Sequence, residues 1–123
     1  MESRDFKPFG SVSALTLGGG GIGNVWGETS KDESIASVHL ALESGIDHLD
    51  VAPMYGKGEA ERVVGEATKE RSRDSFRLTT KCALGSLPDE EVYDHFNTSL
   101  IRSLDTMGTD YVDLFLLHSQ LVE

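Results

Sequence analysis

Gly45-Ile-Asp-His-Leu-Asp-Val-Ala-Pro-Met-Tyr-Gly56 decides how this chain is read. Ile46 to Val51 has the length and apolar content of a strand. It leads to Asp50 and, after a short turn, to Tyr55. Three other runs behave in the same way. Ser13 to Leu17 enters the glycine cluster of Gly18, Gly19, Gly20, Gly21 and Gly23. Phe76 to Cys82 ends beside Lys81, and Val112 to Leu117 ends at His118.

Helical patterns separate these strands. Ser30 opens Ser-x-x-Glu with Glu33, a capping box that starts a helix. Ile35, Val38, Ala41 and Leu42 then recur at helical spacing, and Gly45 suits the left-handed residue after the helix. Glu59 to about Lys69 forms a second helix, with Ala60, Val63, Val64 and Ala67 on one face. Pro88 and the acids Asp89, Glu90 and Glu91 suit the start of a third. Val92, Phe96, Leu100, Ile101 and Leu104 give that helix its expected buried face, and Gly108 ends it.

Strands alternating with helices through short connections predict an α/β fold with a parallel sheet and right-handed crossovers. The C-terminal strand ends then gather on one face. Alternation predicts that Asp50 shares an inner face with His48 and Ile46, Lys81 with Thr79, and His118 with Leu116, Leu114 and Val112. A filled inner face with its polar ends at the top is a barrel-type interior. His48 is expected to fill that interior below Asp50; His39 and His95 fall within helices and take no role.

The glycine run literally matches G-x-G-x-x-G. A dinucleotide-binding helix must open at its glycines, yet Asn24 to Thr29 intervene before the Ser30 cap. The run therefore reads as a flexible turn, or as a loop at a barrel mouth where backbone approaches a ligand closely.

The chain has 123 residues, 38% hydrophobic and 26% charged, with a net charge of −10. That suits one globular domain and excludes the basic stripe a nucleic-acid surface needs. No apolar run reaches the roughly 20 residues of a membrane span, and no signal core is visible, so a cytoplasmic protein is expected. The single Cys82 permits no internal disulfide, and no Cys/His cluster suggests a metal.

Asp50, Tyr55, Lys81 and His118 on one rim suggest carbonyl chemistry. A tyrosine with a pKa of about 10 is a reluctant acid. A lysine ammonium beside it lowers that value, and an aspartate keeps the lysine charged and oriented. An imidazole can hydrogen-bond a carbonyl oxygen. Together they would protonate that oxygen while a hydride arrives at carbon. Trp26 and Met54 could line an apolar substrate pocket beside Tyr55 and His118; ordinary loop packing explains them equally well.

These motifs resemble the aldo-keto reductase superfamily. The resemblance rests on Val12 to Gly19, Gly45 to Gly56, Glu59 to Glu66, Thr79-Thr80-Lys81 and Asp110 to His118. It implies a (β/α)8 barrel, NADPH (NADP) as cofactor, a small-molecule carbonyl substrate and no metal. The catalytic Asp, Tyr, Lys and His of the family fall on Asp50, Tyr55, Lys81 and His118. Gly20, Gly21 and Ile22, with Asp50, match the cofactor-facing positions. Such a barrel takes roughly 250 residues. Residues 1–123 are thus expected to form the N-terminal part of one barrel domain, a truncated first half with four parallel strands and three helices. Its open sheet edges would favour self-association. The family residues that hold the carboxamide, stack on the nicotinamide and bind the adenosine phosphate have no match here. The chain alone is accordingly expected to be an incomplete catalytic unit of an oxidoreductase. A non-catalytic half-barrel and a cofactor-binding regulatory subunit are the alternatives.

Overall fold

A computed structural model describes residues 1–119. Among them, strands β1 (Ser3–Asp5) and β2 (Ser11–Ser13) form a hairpin. Then come β3 (Leu17–Gly18), α1 (Lys31–Glu43), β4 (His48–Asp50), α2 (Glu59–Thr68), a 3₁₀ turn (Arg73–Ser75), β5 (Arg77–Cys82), α3 (Asp89–Met107) and β6 (Leu114–Leu117). The last four strands make one parallel sheet in the order β3-β4-β5-β6. It is an arc with all three long helices on its outer side, the first half of a barrel architecture.

Local chemistry sets the element boundaries. Ser30 and Glu33 form the expected capping box at the start of α1. Gly45 takes φ +86 after the Ser44 C-cap, and Gly108 takes φ +64 after α3. Both are left-handed positions that glycine fills without a Cβ penalty. The face of α2 predicted from spacing is the observed one: Ala60, Val63, Val64 and Ala67 are all buried. They meet Leu49, Val51, Leu78 and Val38 to form the core between sheet and helices. Each fully buried aliphatic side chain contributes about 1.5–3 kcal/mol there.

Four expectations are corrected. Ser13 belongs to the hairpin, not to the first parallel strand, which is only Leu17–Gly18. The hairpin is anchored by long-range contacts. The Ser13 amide donates to Asp47 Oδ1 at 2.8 Å, and the Asp47 amide donates to Ser13 Oγ at 3.0 Å. The second strand is shorter than Ile46–Val51, since Ile46 is taken up in closing α1 through Ala41. Ile101 is 51% exposed, and Val92, Phe96, Leu100 and Leu104 are half-buried. The residues of α3 that are buried are Ser103 and Met107, because α3 meets α2 through its C-terminal turn. Val112 lies outside β6 and packs on the outer core instead of joining the inner face.

Beneath the sheet, Arg73 fixes β6 to β5. Its guanidinium donates to Asp113 Oδ2 at 2.6 Å and to the Phe76 and Tyr111 carbonyls, and lies 4.0 Å from the Tyr111 ring centroid. Asp113 Oδ2 also accepts from the Leu78 amide at 2.8 Å. This clamp sets the register that places Lys81 opposite Leu116 and brings His118 to the end of β5. On the inner face Leu116 is 40% exposed, so this end of the arc is open, as a truncated barrel lacking its opposite wall requires. Among the described residues, no helix is long and apolar enough to cross a membrane.

Helices α2 and α3 cross at Gly65. A Cβ there would sit 2.8 Å from Met107 Cα and 2.8 Å from its carbonyl oxygen. Backbone cannot yield as a flexible side chain would, so Gly65→Ala must push the helices apart. The expected loss is about 1–3 kcal/mol, checked by urea denaturation; an unchanged midpoint would contradict the crossing.

Candidate active site

Lys81 is only 8% exposed, and a buried ammonium needs partners. Its Nζ donates to Asp50 Oδ1 at 2.5 Å and to the Val51 carbonyl at 2.9 Å. The sheet makes this meeting possible. Asp50 pairs with Thr79, and Lys81 lies two residues further along β5 on the same inner face. The expected grouping of Asp50 with His48, and of Lys81 with Thr79, is what the register produces.

Tyr55 reaches the same place by a turn. Its amide donates to the Ala52 carbonyl at 3.0 Å. Gly56, Lys57 and Gly58 then take φ of +62, +54 and +88, reversing the chain into α2. The Lys81 ammonium lies 5.0 Å from the Tyr55 ring centroid, so the phenol ring and the cation are in direct contact. The His118 ring meets Tyr55 edge-on, centroids 5.9 Å apart at 88°. The His118 amide donates to the Cys82 carbonyl at 2.7 Å, which extends the β5–β6 ladder to the rim. The four predicted side chains therefore gather at one end of three adjacent segments.

A cavity of about 160 Å³ opens beside them, lined by Pro53, Met54, Lys81, Ser99 and His118 among others. A larger groove of about 460 Å³ lies on the outer side, between α3 and Phe115, and touches none of the four. The ionisable groups, not the volume, locate the chemistry. Met54, 56% exposed, lines this cavity, whereas Trp26, 80% exposed, lies over Gly20 in the glycine loop and is not part of the lining. Ser99 carried no signal in the sequence, because it is a single hydroxyl on a helix whose rotation the pattern left loose.

The glycine loop does two kinds of work. Gly19 and Gly23 allow close protein packing: a Cβ on Gly19 would fall 2.8 Å from Val51 Cγ1, and one on Gly23 would fall 3.0 Å from the Tyr55 backbone. Gly20 lies under the Trp26 indole, whereas a Cβ on Gly21 would meet nothing within 4 Å. Ile22 is buried, so its side chain belongs to the core and only its backbone is available to a ligand. The Gly19 amide donates to the Asp50 carbonyl at 2.7 Å, holding the loop beside the ion pair. The loop thus leaves open backbone at Gly21 and a partly exposed Asp50 carboxylate, and among the described residues no cluster of three metal-binding side chains exists.

One further group was only partly legible. His48 fills the interior below Asp50, as expected, but it is also tied on both sides. Its Nδ1 lies 3.1 Å from Thr16 Oγ1, and its Nε2 lies 2.7 Å from Thr79 Oγ1. Burial pushes its pKa below the ordinary histidine value, and Lys81 adds to the lowering, while Asp50, Asp47 and Asp113 pull it up. His39 and His95 cap carbonyls, those of Ala67 and Ala83 at 2.9 and 3.0 Å.

Known proteins resemble this chain in sequence and fold. The family model described as "Aldo/keto reductase family" matches residues 14–121. The aldo-keto reductase YhdN of Bacillus subtilis is 39% identical over 87% of this chain and 34% of its own length. The NADH-specific methylglyoxal reductase of Escherichia coli is 32% identical over 90% of this chain and 38% of its own. Among solved structures, a thermostable aldo-keto reductase in complex with the inhibitor epalrestat superposes with TM-score 0.83 at 30% identity, covering 98% of this chain and 44% of that one. An aldo-keto reductase from Klebsiella pneumoniae in complex with NADPH gives TM-score 0.82 at 26% identity, covering 99% and 40%. The chain thus spans about a third of the length of the curated relatives it matches. It belongs to the aldo/keto reductase family.

The His48 environment has a pH signature. The unfolded chain takes up a proton near the ordinary value of about 6.5, before the folded chain does. Stability is therefore full above that pH and falls as pH drops towards the lowered folded-state value. Urea midpoints measured across this range should decline on the acid side, and His48→Gln should flatten this part of the decline. Identical slopes in both proteins would contradict the assignment.

Proposed function

We propose that this aldo/keto reductase chain carries the proton-donating side of an NADPH-dependent reductase that converts an aldehyde or ketone to an alcohol. The observation that carries the reading is the Lys81 ammonium held 2.5 Å from Asp50 and against the Tyr55 ring, with His118 beside it. When bound, NADPH would supply the hydride that the carbonyl carbon receives. Tyr55 gives its hydroxyl proton to the carbonyl oxygen as that oxygen becomes an alkoxide, so carbon gains a hydride and oxygen a proton. Lys81 places positive charge beside the phenol and stabilises the phenolate left behind. Asp50 keeps Lys81 charged and oriented. His118 orients the substrate by hydrogen-bonding the carbonyl oxygen before transfer.

Asp50 and the backbone of Gly20, Gly21 and Ile22 are the residues that would hold the cofactor in this chain. The NADPH-bound Klebsiella structure supports that cofactor; the NADH-specific Escherichia coli relative marks the alternative. Met54, which lines the cavity with His118, supports assigning Met54, Tyr55 and His118 to a small carbonyl substrate, with Trp26 of the glycine loop as the second apolar side chain of that assignment. In this reading residues 1–123 are the N-terminal part of one barrel domain in a cytoplasmic enzyme, and the unit that turns over is larger than the chain. The exposed inner face at Leu116 and the edge strands β3 and β6 favour association with further strands, from another copy of the chain or from more of the barrel.

Tyr55→Phe removes the proton and keeps the ring. In the complete catalytic unit, kcat for NADPH-driven reduction of a panel of aldehydes and ketones is expected to fall by about 10²–10⁴, with NADPH affinity within a few-fold of the parent. Cofactor absorbance and fluorescence read the two quantities. Turnover unchanged by this substitution would overturn the assignment of the acid.

A further inference from the structure

We propose that His48 is a positioning residue for the Asp50–Lys81 pair: its imidazole, strapped between Thr16 and Thr79, ties together the three segments beneath the pair, and gaining a proton there draws Asp50 away from Lys81.

The geometry is a single layer across the sheet. Leu17 pairs with Leu49, which puts Thr16 level with His48, and Thr79 pairs with Asp50 directly above. The ring spans from Thr16 Oγ1 at 3.1 Å to Thr79 Oγ1 at 2.7 Å. It therefore bridges the segment before β3, the strand carrying Asp50 and the strand carrying Lys81. Thr79 is 1% exposed, so its hydroxyl relies on partners inside the protein, and His48 Nε2 is one. Neutral imidazole satisfies both threonines with one donor and one acceptor, since each hydroxyl can take either role.

Charge acts differently on the two members of the pair. Asp47 and Asp50 face His48 from its own strand and the turn before it, Arg77 and Lys81 from β5, and Asp113 from the entry to β6. The wall below is apolar, made by Phe6, Phe9 and Val12. A proton on His48 gives Asp50 a second cation on the floor side. The same proton repels Lys81, whose remaining fixed partner is the Val51 carbonyl at 2.9 Å. Both effects pull the pair apart. Neutral His48 therefore keeps Asp50 committed to Lys81, and the ring's own tethers keep the two strands at the spacing the pair needs. The consequence for hydride transfer rests on the reductase reading; the behaviour of the pair does not.

The test reads the pair without cofactor or turnover. Nitrogen-15 NMR of the chain follows the Lys81 ammonium and the His48 ring in one pH titration. In the parent, loss of the hydrogen-bonded Lys81 signal should share its midpoint with His48 protonation. In His48→Asn, which is neutral at every pH, the Lys81 signal should survive to lower pH, its midpoint falling by about one pH unit. Two results would overturn the proposal: a Lys81 midpoint in the parent well below that of His48, or the same Lys81 midpoint in parent and variant. The first reading needs no variant, so the outcome does not depend on His48→Asn folding. Tyr55→Phe kinetics address the reductase reading separately.

Discussion

A lysine with almost no solvent access stays charged only if its surroundings replace water. Lys81 has two replacements, the Asp50 carboxylate at the end of β4 and the carbonyl of Val51, the residue after it. The pair is therefore a product of register. Shift β5 by one residue against β4, and Lys81 turns to the helix side, away from the Asp50 carboxylate and the Val51 carbonyl. Everything else in the site depends on this constraint. The Tyr55 ring finds a cation beside it because Lys81 is held in place, and His118 reaches Tyr55 because β6 follows the same register.

The register is guarded from below. Arg73 and Asp113 join the entries of β5 and β6, and the Ser13–Asp47 exchange joins the hairpin to the entry of β4. These contacts lie at the opposite ends of the strands from the chemistry. Such a division of labour, stability at the bottom and reactivity at the top, is how barrel folds tolerate varied active sites. His48 lies between the two levels, and its tethers to Thr16 and Thr79 connect floor to rim.

What the sequence revealed follows from the range of the forces involved. The Ser30 cap, Gly45, Gly108 and the apolar face of α2 depend on neighbours a few residues away, so spacing alone exposed them. The rim was legible because a parallel sheet collects strand ends and because Asp50, Lys81 and His118 each close an apolar run. The hairpin stayed hidden, since its stability comes from Asp47, more than thirty residues from Ser13. The buried face of α3 was overestimated because periodicity reports which side is apolar, not how much of that side finds a partner. The hydroxyl contacts of His48 were invisible for the same reason: threonine on a strand is ordinary, and only the fold puts two of them against one imidazole.

A double-mutant cycle on the ion pair tests the central claim most directly. Asp50→Asn, Lys81→Met and the double substitution would be compared by urea denaturation at neutral pH. If the pair is the constraint described, the double variant loses less than the sum of the singles, with a coupling of about 1 kcal/mol or more. Strict additivity would mean that Asp50 and Lys81 stand close without depending on each other, and the account of the site would fail at its base.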